Sequence, residues 1–318
     1  MEYLIALLPA LCWGSLGIFS TKFGGNSSQQ TMGLTLGGLL FGFLSYFLWV
    51  MPHGYYIDGT IVMIGLISGI LWTVGQAFQF VAIKVIGAVS IAVTLSMTSQ
   101  LVGNALLAAA LLGNWADGTQ WGLGLFAVTL IVIGALFIQK KDKRADDGEE
   151  HYQNLGKGLI PLAFSTLGFV GYFITPKLLQ IWLNVAPEVI SAGNGVNYMI
   201  TIIFPQSVGM VLGSFIYIYL ISHQTEGMFA KVTFKNGITG LVWAVGNVAM
   251  LISIARLDQA VATTLSQLGF IVSAFGGMYI LHEKKSSSQL KRLVIGVCLA
   301  VIGAVIITNI RLVETLIW

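Results

Sequence analysis

The chain has 318 residues, of which 56% are apolar and only 9% are charged, and its formal net charge is +3. Soluble domains carry about one quarter charged residues, so this composition excludes an ordinary water-soluble fold, whose surface so few charges could not cover. Charge-poor stretches of about 20 residues, the length that crosses a bilayer, recur along the chain and predict membrane helices. The strands of a membrane barrel would instead alternate in polarity over about 10 residues.

Ten membrane helices are predicted, which makes the fold class an all-α polytopic membrane protein with the lipid bilayer as a partner. They cover residues 3–22, 31–51, 59–83, 86–112, 119–138, 157–178, 198–222, 236–256, 259–281 and 291–310. The first lacks a basic n-region and a cleavage site, so it is interpreted as a membrane helix and not as a removable signal. The stretch 179–222 is longer than one helix requires and contains Pro187 and Pro205. If it crosses twice, the chain has eleven spans.

One strongly hydrophilic stretch, residues 139–156, divides the ten helices into two sets of five. Its basic residues are followed by acidic ones without apolar periodicity, which is typical of a solvated linker. The predicted units are therefore a first repeat, 1–138, the linker, and a second repeat, 157–318. Three short motifs recur across the linker at offsets of 171, 170 and 169. They pair 71–76 with 242–247, 94–96 with 264–266, and 132–135 with 301–304.

The odd number of helices in each repeat determines how the repeats are oriented. After five crossings the second repeat enters the membrane from the opposite side, which gives two inverted repeats. Inverted repeats are a transporter architecture in which the substrate lies near the midplane. Three basic residues fall on the side of the termini and thirteen on the other. The positive-inside rule therefore predicts a multi-pass protein of the cell membrane with a cytoplasmic linker and both termini outside.

Enzyme motifs and metal sites are not predicted. The run that starts at His282-Glu283 resembles the beginning of a zinc-protease motif, but Ser286 stands where the second histidine ligand is needed. The glycines of 122–127 fit a loose dinucleotide pattern without the strand that should precede it. We therefore expect no enzyme activity, no cofactor and no nucleic-acid partner.

Glycines spaced four residues apart predict close helix packing, because they let two backbones approach within lipid. Such pairs occur at 33 and 37, 65 and 69, 118 and 122, and 209 and 213.

Polar residues inside the predicted spans indicate a binding site, because each one costs free energy unless it has a partner. Uncharged amides and hydroxyls can both donate to and accept from the hydroxyls of a neutral sugar, and tryptophan offers a flat face to its ring. The candidate substrate-binding residues are Trp72, Gln76, Gln79, Ser96, Gln100, Trp243, Asn247, Ser266 and Gln267. The alternative is that they serve only as interhelical hydrogen bonds and interfacial tryptophans. No carboxylate falls in the middle of a predicted span, which favours a neutral substrate and leaves the energy coupling open.

The chain resembles the bacterial glucose/ribose uptake family of the drug/metabolite transporter superfamily along nearly every predicted helix. The matching stretches are 7–10, 13–15, 65–69, 72–79, 100–103, 206–210, 243–247, 265–268 and 283–284. The resemblance implies ten helices, a plasma-membrane location and sugar uptake that is commonly described as proton-linked. Two features depart from the family pattern. Asn114 stands where the family has an acidic residue between a glycine and a tryptophan, and the 177–197 stretch is longer.

The predicted function is import of a monosaccharide, glucose first and ribose second, by alternating access to a site between the two repeats. Two alternatives stay open. One is export of a drug or metabolite by the same fold. The other is a membrane sensor that binds a sugar without moving it.

Overall fold

The computed structural model describes residues 2–139, 154–257, 259–283 and 285–317. Most of the predicted linker, residues 140–153, lies outside these ranges, as do Asp258 and Lys284. Within them the chain is helical and has no strand.

Fourteen helices and two π-helical turns make up the described chain. The helices are α1 Glu2–Phe23, α2 Ser27–Ser45, α3 Gly59–Ile86, α4 Val89–Leu112, α5 Gly118–Gln139, α6 Leu155–Trp182, α7 Pro187–Ser191, α8 Val196–Thr201, α9 Ile203–Ile216, α10 Lys231–Arg256, α11 Gln259–Gln267, α12 Gly269–Ile280, α13 Ser287–Thr308 and α14 Ile310–Ile317. The π-helical turns, Tyr46–Val50 and Tyr217–Ser222, extend α2 and α9. Together these elements form ten segments that are long and apolar enough to cross a membrane within the described ranges. The all-α, ten-helix fold class is confirmed.

Polar caps explain why two helices begin four residues before their predicted starts. The Asn26 side chain accepts from the backbone N–H of Gln29 at 2.8 Å, and the Gln29 side chain accepts in return from the Asn26 backbone. Ser286 and Gln289 form the same reciprocal pair before α13. Such capping boxes satisfy N–H groups that the first helical turn leaves unpaired. The polar residues ahead of the apolar stretch are therefore already helical.

The stretch after α6 crosses the membrane once. Residues 196–222 form one candidate span, built from α8, α9 and a π-helical turn. At its start, Asn197 and Tyr198 border a surface cavity together with His53 and Tyr55, from the turn between α2 and α3. At its far end, the Gly227 carbonyl accepts from the Gln29 side chain at 3.0 Å, beside the turn between α1 and α2. These two turns lie on opposite sides of the bundle, so the described chain has ten spans and not eleven.

Ten successive crossings place the connections on two faces. We call the side that carries the turns at 24–26, 87–88, 223–230 and 281–286 the linker face, because residues 139 and 154 also lie there. The opposite side, with the turns at 51–58, 113–117 and 183–195, is the terminal face, because α1 starts and α13 ends on it.

The helices of the two predicted repeats pack against each other in matching pairs. α3 contacts α6 and α9, while its counterpart α10 contacts α1 and α2. Likewise α4 packs on α6 as α12 packs on α1, and α5 packs on α13. In each of these pairings a helix of one repeat packs on helices of the other, as expected of two inverted repeats. The packing supports the predicted division into 1–138 and 157–318, which stays a prediction.

Glycine spacing marks helix contacts at three of the four predicted pairs. A methyl group added at Gly37 would lie 3.0 Å from the Cα of Gly240, so only hydrogen at both positions lets α2 and α10 approach so closely. The pairs at 65 and 69 and at 209 and 213 also face other helices. The prediction is wrong for the fourth pair, because a methyl group at Gly118 or Gly122 would meet no described atom within 4 Å. This part of α5 faces outward, and spacing alone does not reveal which way a helix faces.

Candidate functional site

A central cavity of about 30 Å³ lies where α1, α3, α4, α6 and α10 meet. Its lining residues are Trp13, Leu16, Trp72, Gln76, Gln79, Met97, Gln100, Phe169, Tyr172, Phe173 and Trp243. The first three of these helices belong to the first predicted repeat and the other two to the second. None of these side chains is an aspartate, glutamate, lysine, arginine or histidine, so the site is polar without being charged. Its volume matches that of about one water molecule.

Three amides line the cavity, and two hydroxyls outside the lining complete a hydrogen-bonded cluster with them. Gln76 and Gln79 are three residues apart on α3, and the Gln76 amide N–H donates to the Gln79 side-chain oxygen at 3.1 Å. The amides of Gln79 and Gln100 both donate to the Ser96 hydroxyl at 3.0 Å. Because these two bonds occupy both lone pairs of the Ser96 oxygen, Ser96 can only donate in its contact with Ser165, 3.2 Å away on α6. Ser96 thus fixes two glutamines, although it does not itself line the cavity.

Aromatic rings also line the cavity. The Trp72 and Trp243 ring centroids are 4.7 Å apart, with an angle of 55° between the ring planes. The Trp13 indole N–H donates to the Trp243 carbonyl at 3.2 Å and so joins α1 to α10. The Trp243 indole N–H is buried and has no hydrogen-bond partner among the described residues. A buried donor without a partner costs about 1–3 kcal/mol, so this N–H is available to an acceptor that enters the site.

A closed ring of hydrogen bonds lies behind Tyr172. Its hydroxyl donates to the Asn247 side-chain oxygen, and the Asn247 amide donates to the Gln206 oxygen at 2.8 Å. The Gln206 amide donates to Ser68 at 2.9 Å, and Ser68 donates back to the Tyr172 carbonyl at 3.4 Å. The ring ties α3, α6, α9 and α10 together. Asn247 therefore reaches the cavity only through Tyr172.

The structure places the candidate residues unevenly. Trp72, Gln76, Gln79, Gln100 and Trp243 line the cavity. Ser96 and Asn247 contact residues that line it.

Ser266 and Gln267 are buried on α11 and are not among the lining residues. The Ser266 hydroxyl donates to the Thr263 carbonyl at 2.7 Å, and both polar atoms of the Gln267 side chain lack partners among the described residues.

Sequence reasoning missed the whole contribution of α6. Phe169, Tyr172 and Phe173 line the cavity, and Ser165 completes the amide cluster. Because α6 is rich in apolar and aromatic residues, it carries no run of polar side chains that would set it apart. Gln206 could have been found, because it is a buried amide within a span and begins one of the stretches that resemble the sugar uptake family.

Comparison with known proteins adds three kinds of finding: a family model, similar sequences and a similar fold. The family model described as "Sugar transport protein" matches residues 4–310. A Lactiplantibacillus plantarum protein named "Putative sugar uptake protein" is 37% identical over 96% of this chain and 98% of its own. The Bacillus subtilis protein named "Glucose uptake protein GlcU" is 34% identical over 96% of this chain and 97% of its own. One crystal structure matches 97% of both chains with a TM-score of 0.57 at 14% identity, which is a likeness of fold alone.

Proposed function

The chain belongs to the sugar transport protein family, and from this premise we propose that it imports a monosaccharide across the cell membrane, glucose first and ribose second. The observation that carries the proposal is the uncharged central cavity, which is lined by amides from one repeat and by indole rings from both. Amides donate and accept in the same plane, and sugar hydroxyls do both, so the two sets of groups are complementary. A charged substrate would leave its charge unpaired in this cavity.

The proposed binding residues have two roles, hydrogen bonding to the sugar hydroxyls and contact with the sugar ring. Gln76, Gln79 and Gln100 hydrogen-bond the sugar hydroxyls, with Ser96 holding two of these amides in place. Trp72 and Trp243 contact the sugar ring, and the free Trp243 N–H donates to one of its oxygens.

Asn247, Ser266 and Gln267 complete the proposed set in a wider conformation. A hexose is many times larger than one water molecule, so the cavity must open before it binds. In our proposal the unpaired Gln267 amide finds its partner in that wider state.

Alternating access gives the proposal its mechanism. A vestibule of about 350 Å³ opens on the linker face, bounded by Thr21, Phe80, Ile83 and Lys84 among others. The inverted repeats would open this route and one to the terminal face in turn. The charge bias of the sequence favours a cytoplasmic linker face and external termini.

Uptake of labelled glucose into proteoliposomes tests the site. Gln100→Ala should lower uptake at least about tenfold, because a hydrogen bond to the sugar is lost within a buried cavity. Ser99→Ala is the matched control, since the Ser99 hydroxyl only donates to the Leu95 carbonyl of its own helix at 2.8 Å. Unchanged uptake by the Gln100 variant would remove this residue from the site.

The same liposomes distinguish the remaining alternatives. Uptake that follows an imposed pH gradient would make transport proton-linked, and uptake that ignores it would make transport facilitated diffusion. Preloaded vesicles that release label without taking it up would favour export. Saturable binding without flux in either direction would favour a sensor.

A further inference from the structure

The turns that follow α4 and α12 are equivalent in the two repeats and lie on opposite faces. Gly113 and His282, 169 positions apart, both have positive φ, 67° and 56°. In each turn the next residue donates its N–H to the carbonyl six positions earlier, Asn114 at 3.3 Å and Glu283 at 3.1 Å. Asn114 and Glu283 therefore occupy the same place at the ends of equivalent helices.

Glu283 binds the start of α4 across the boundary between the repeats. Its carboxylate accepts from the Val89 N–H at 2.7 Å, from the Ser90 N–H at 3.2 Å, and from the Ser90 hydroxyl. Ala88 at the N-cap has no side chain that could satisfy these groups. A carboxylate at a helix N-terminus is favoured both by the unpaired N–H groups and by the helix dipole. The second repeat thus supplies the cap of a helix in the first.

The packing around this carboxylate leaves little freedom. The Glu283 side chain is only 9% exposed, and the Lys285 ammonium lies 4.0 Å from it. A methyl group at Gly277 would lie 2.8 Å from both the Glu283 carboxylate and the Ser90 Cβ, so glycine is needed for α12 to approach α4 here. We call this contact of Glu283 with Val89 and Ser90 the clasp, because it holds the end of α12 against the start of α4.

This clasp lies beside the route from the central cavity to the linker face. Glu283 and Val89 border the vestibule, and Leu16 lines the central cavity. Between the two, a methyl group at Gly17 would lie 2.9 Å from the nearest methyl of Val93 and 3.0 Å from that of Val89, so α1 and α4 close the route with apolar side chains. An opening in which the start of α4 moves away would have to break its bonds to Glu283.

The terminal face has a neutral residue at the equivalent place. Asn114 borders a cavity of about 450 Å³ together with Val261, near the start of α11. An amide carries no charge to interact with a helix dipole, so any corresponding clasp there is weaker.

We infer that Glu283 is a positioning residue that holds the linker-face route closed, and that the difference between Glu283 and Asn114 favours conformations closed on that face. The inference rests on the proposed alternating access but not on the identity of the sugar.

A cysteine reporter tests the clasp without any transport measurement. In a chain with Cys12→Ala and Cys298→Ala, Leu16→Cys places one thiol at the central cavity. A membrane-impermeant maleimide is applied to right-side-out and inside-out vesicles, and Gln224→Cys, on an exposed turn of the linker face, identifies the preparation that exposes that face. Glu283→Gln should raise the rate of Leu16→Cys labelling from the linker face roughly tenfold, because a charged cap at a partly buried helix end is lost.

Three further variants distinguish a clasp from general loosening. Glu283→Asp, which keeps the charge, should restore part of the slow labelling. Glu226→Gln removes an exposed acid from the same face and should change nothing. Asn114→Asp should also raise labelling from the linker face, by a smaller factor, because a stronger clasp on the terminal face favours the opposite opening.

Two outcomes would overturn the inference: unchanged labelling in a monodisperse Glu283→Gln protein, or an equal rise from both faces. If that variant fails to fold, Ser90→Ala, which removes one contact and leaves the charge, must raise labelling from the linker face for the inference to survive. Labelling needs no sugar, so a chain that opens as inferred but carries no glucose would refute only the proposed substrate.

Discussion

The polar side chains of α4 and those of its counterpart in the second repeat have different hydrogen-bond partners. α4 is continuous, and Ser96 on it accepts from two glutamines beside the central cavity. The counterpart is interrupted at Leu268 between α11 and α12, and there Ser266 bonds only to its own helix. The next residue, Gln267, is buried with both amide atoms unpaired among the described residues. Repeats that share a backbone plan therefore need not share their polar chemistry, and the amides that line the central cavity come from the first repeat alone.

Substitution of the two equivalent serines should produce the largest contrast. Ser96→Ala removes the hydroxyl that accepts from both Gln79 and Gln100, so these two buried amide NH2 groups lose their acceptor and the side chains are held less firmly. We expect glucose uptake to fall by a factor of about ten or more. Ser266→Ala removes a bond within one helical turn and at most one contact to the sugar in the proposed wider conformation, so it should lower uptake by a smaller factor, about two- to threefold. Equal losses in the liposome assay would mean that the site is symmetric after all.

The break at Leu268 between α11 and α12, which α4 does not have, provides the next contrast. A methyl group at Gly269 would lie 2.5 Å from the Ala10 carbonyl oxygen and 2.8 Å from the end of Met97, so Gly269→Ala forces α1 and α12 apart. Overpacking of this kind costs about 1–3 kcal/mol, which thermal unfolding in detergent would report as a lower midpoint. Ser99→Ala, the equivalent position on α4, is the control and should leave the midpoint nearly unchanged. A stable Gly269→Ala protein would show that the interruption tolerates movement.

The unpaired Gln267 amide gives the smallest but most discriminating effect. Gln267→Leu replaces it with an apolar side chain of similar size, which should leave the closed protein as stable as before or more stable by about 1 kcal/mol. If Gln267 binds sugar in the wider conformation, the same variant should nevertheless transport less. The matching change Gln100→Leu should reduce both stability and uptake, because Gln100 has a partner to lose. A stability loss in Gln267→Leu would reveal a partner for this amide.

Helix periodicity predicts part of the lining of the central cavity. Gln76 and Gln79 were predicted from their place within an apolar span, and both line the cavity. Ser96 and Gln100, one turn apart, were predicted to share a face, and they bond to each other. The same reasoning assigns Ser266 to the site as the equivalent of Ser96. The backbone turn at Leu268 gives the Ser266 side chain different contacts, and it does not line the cavity. Equivalence in sequence cannot anticipate such a turn, because no proline or glycine precedes it in α11.

What the sequence determined by itself is the class of molecule. Few charges, ten long apolar stretches and motifs that match sugar uptake proteins are local properties, and lipid leaves helices as the only structure such stretches can adopt. Tertiary structure alone decided which polar side chains share one cavity, which glycine pairs meet another helix, and that Glu283 caps a helix almost two hundred residues before it. These outcomes depend on the rotation and contact of helices distant in sequence, where uniform apolarity gives each helix several faces that it could bury.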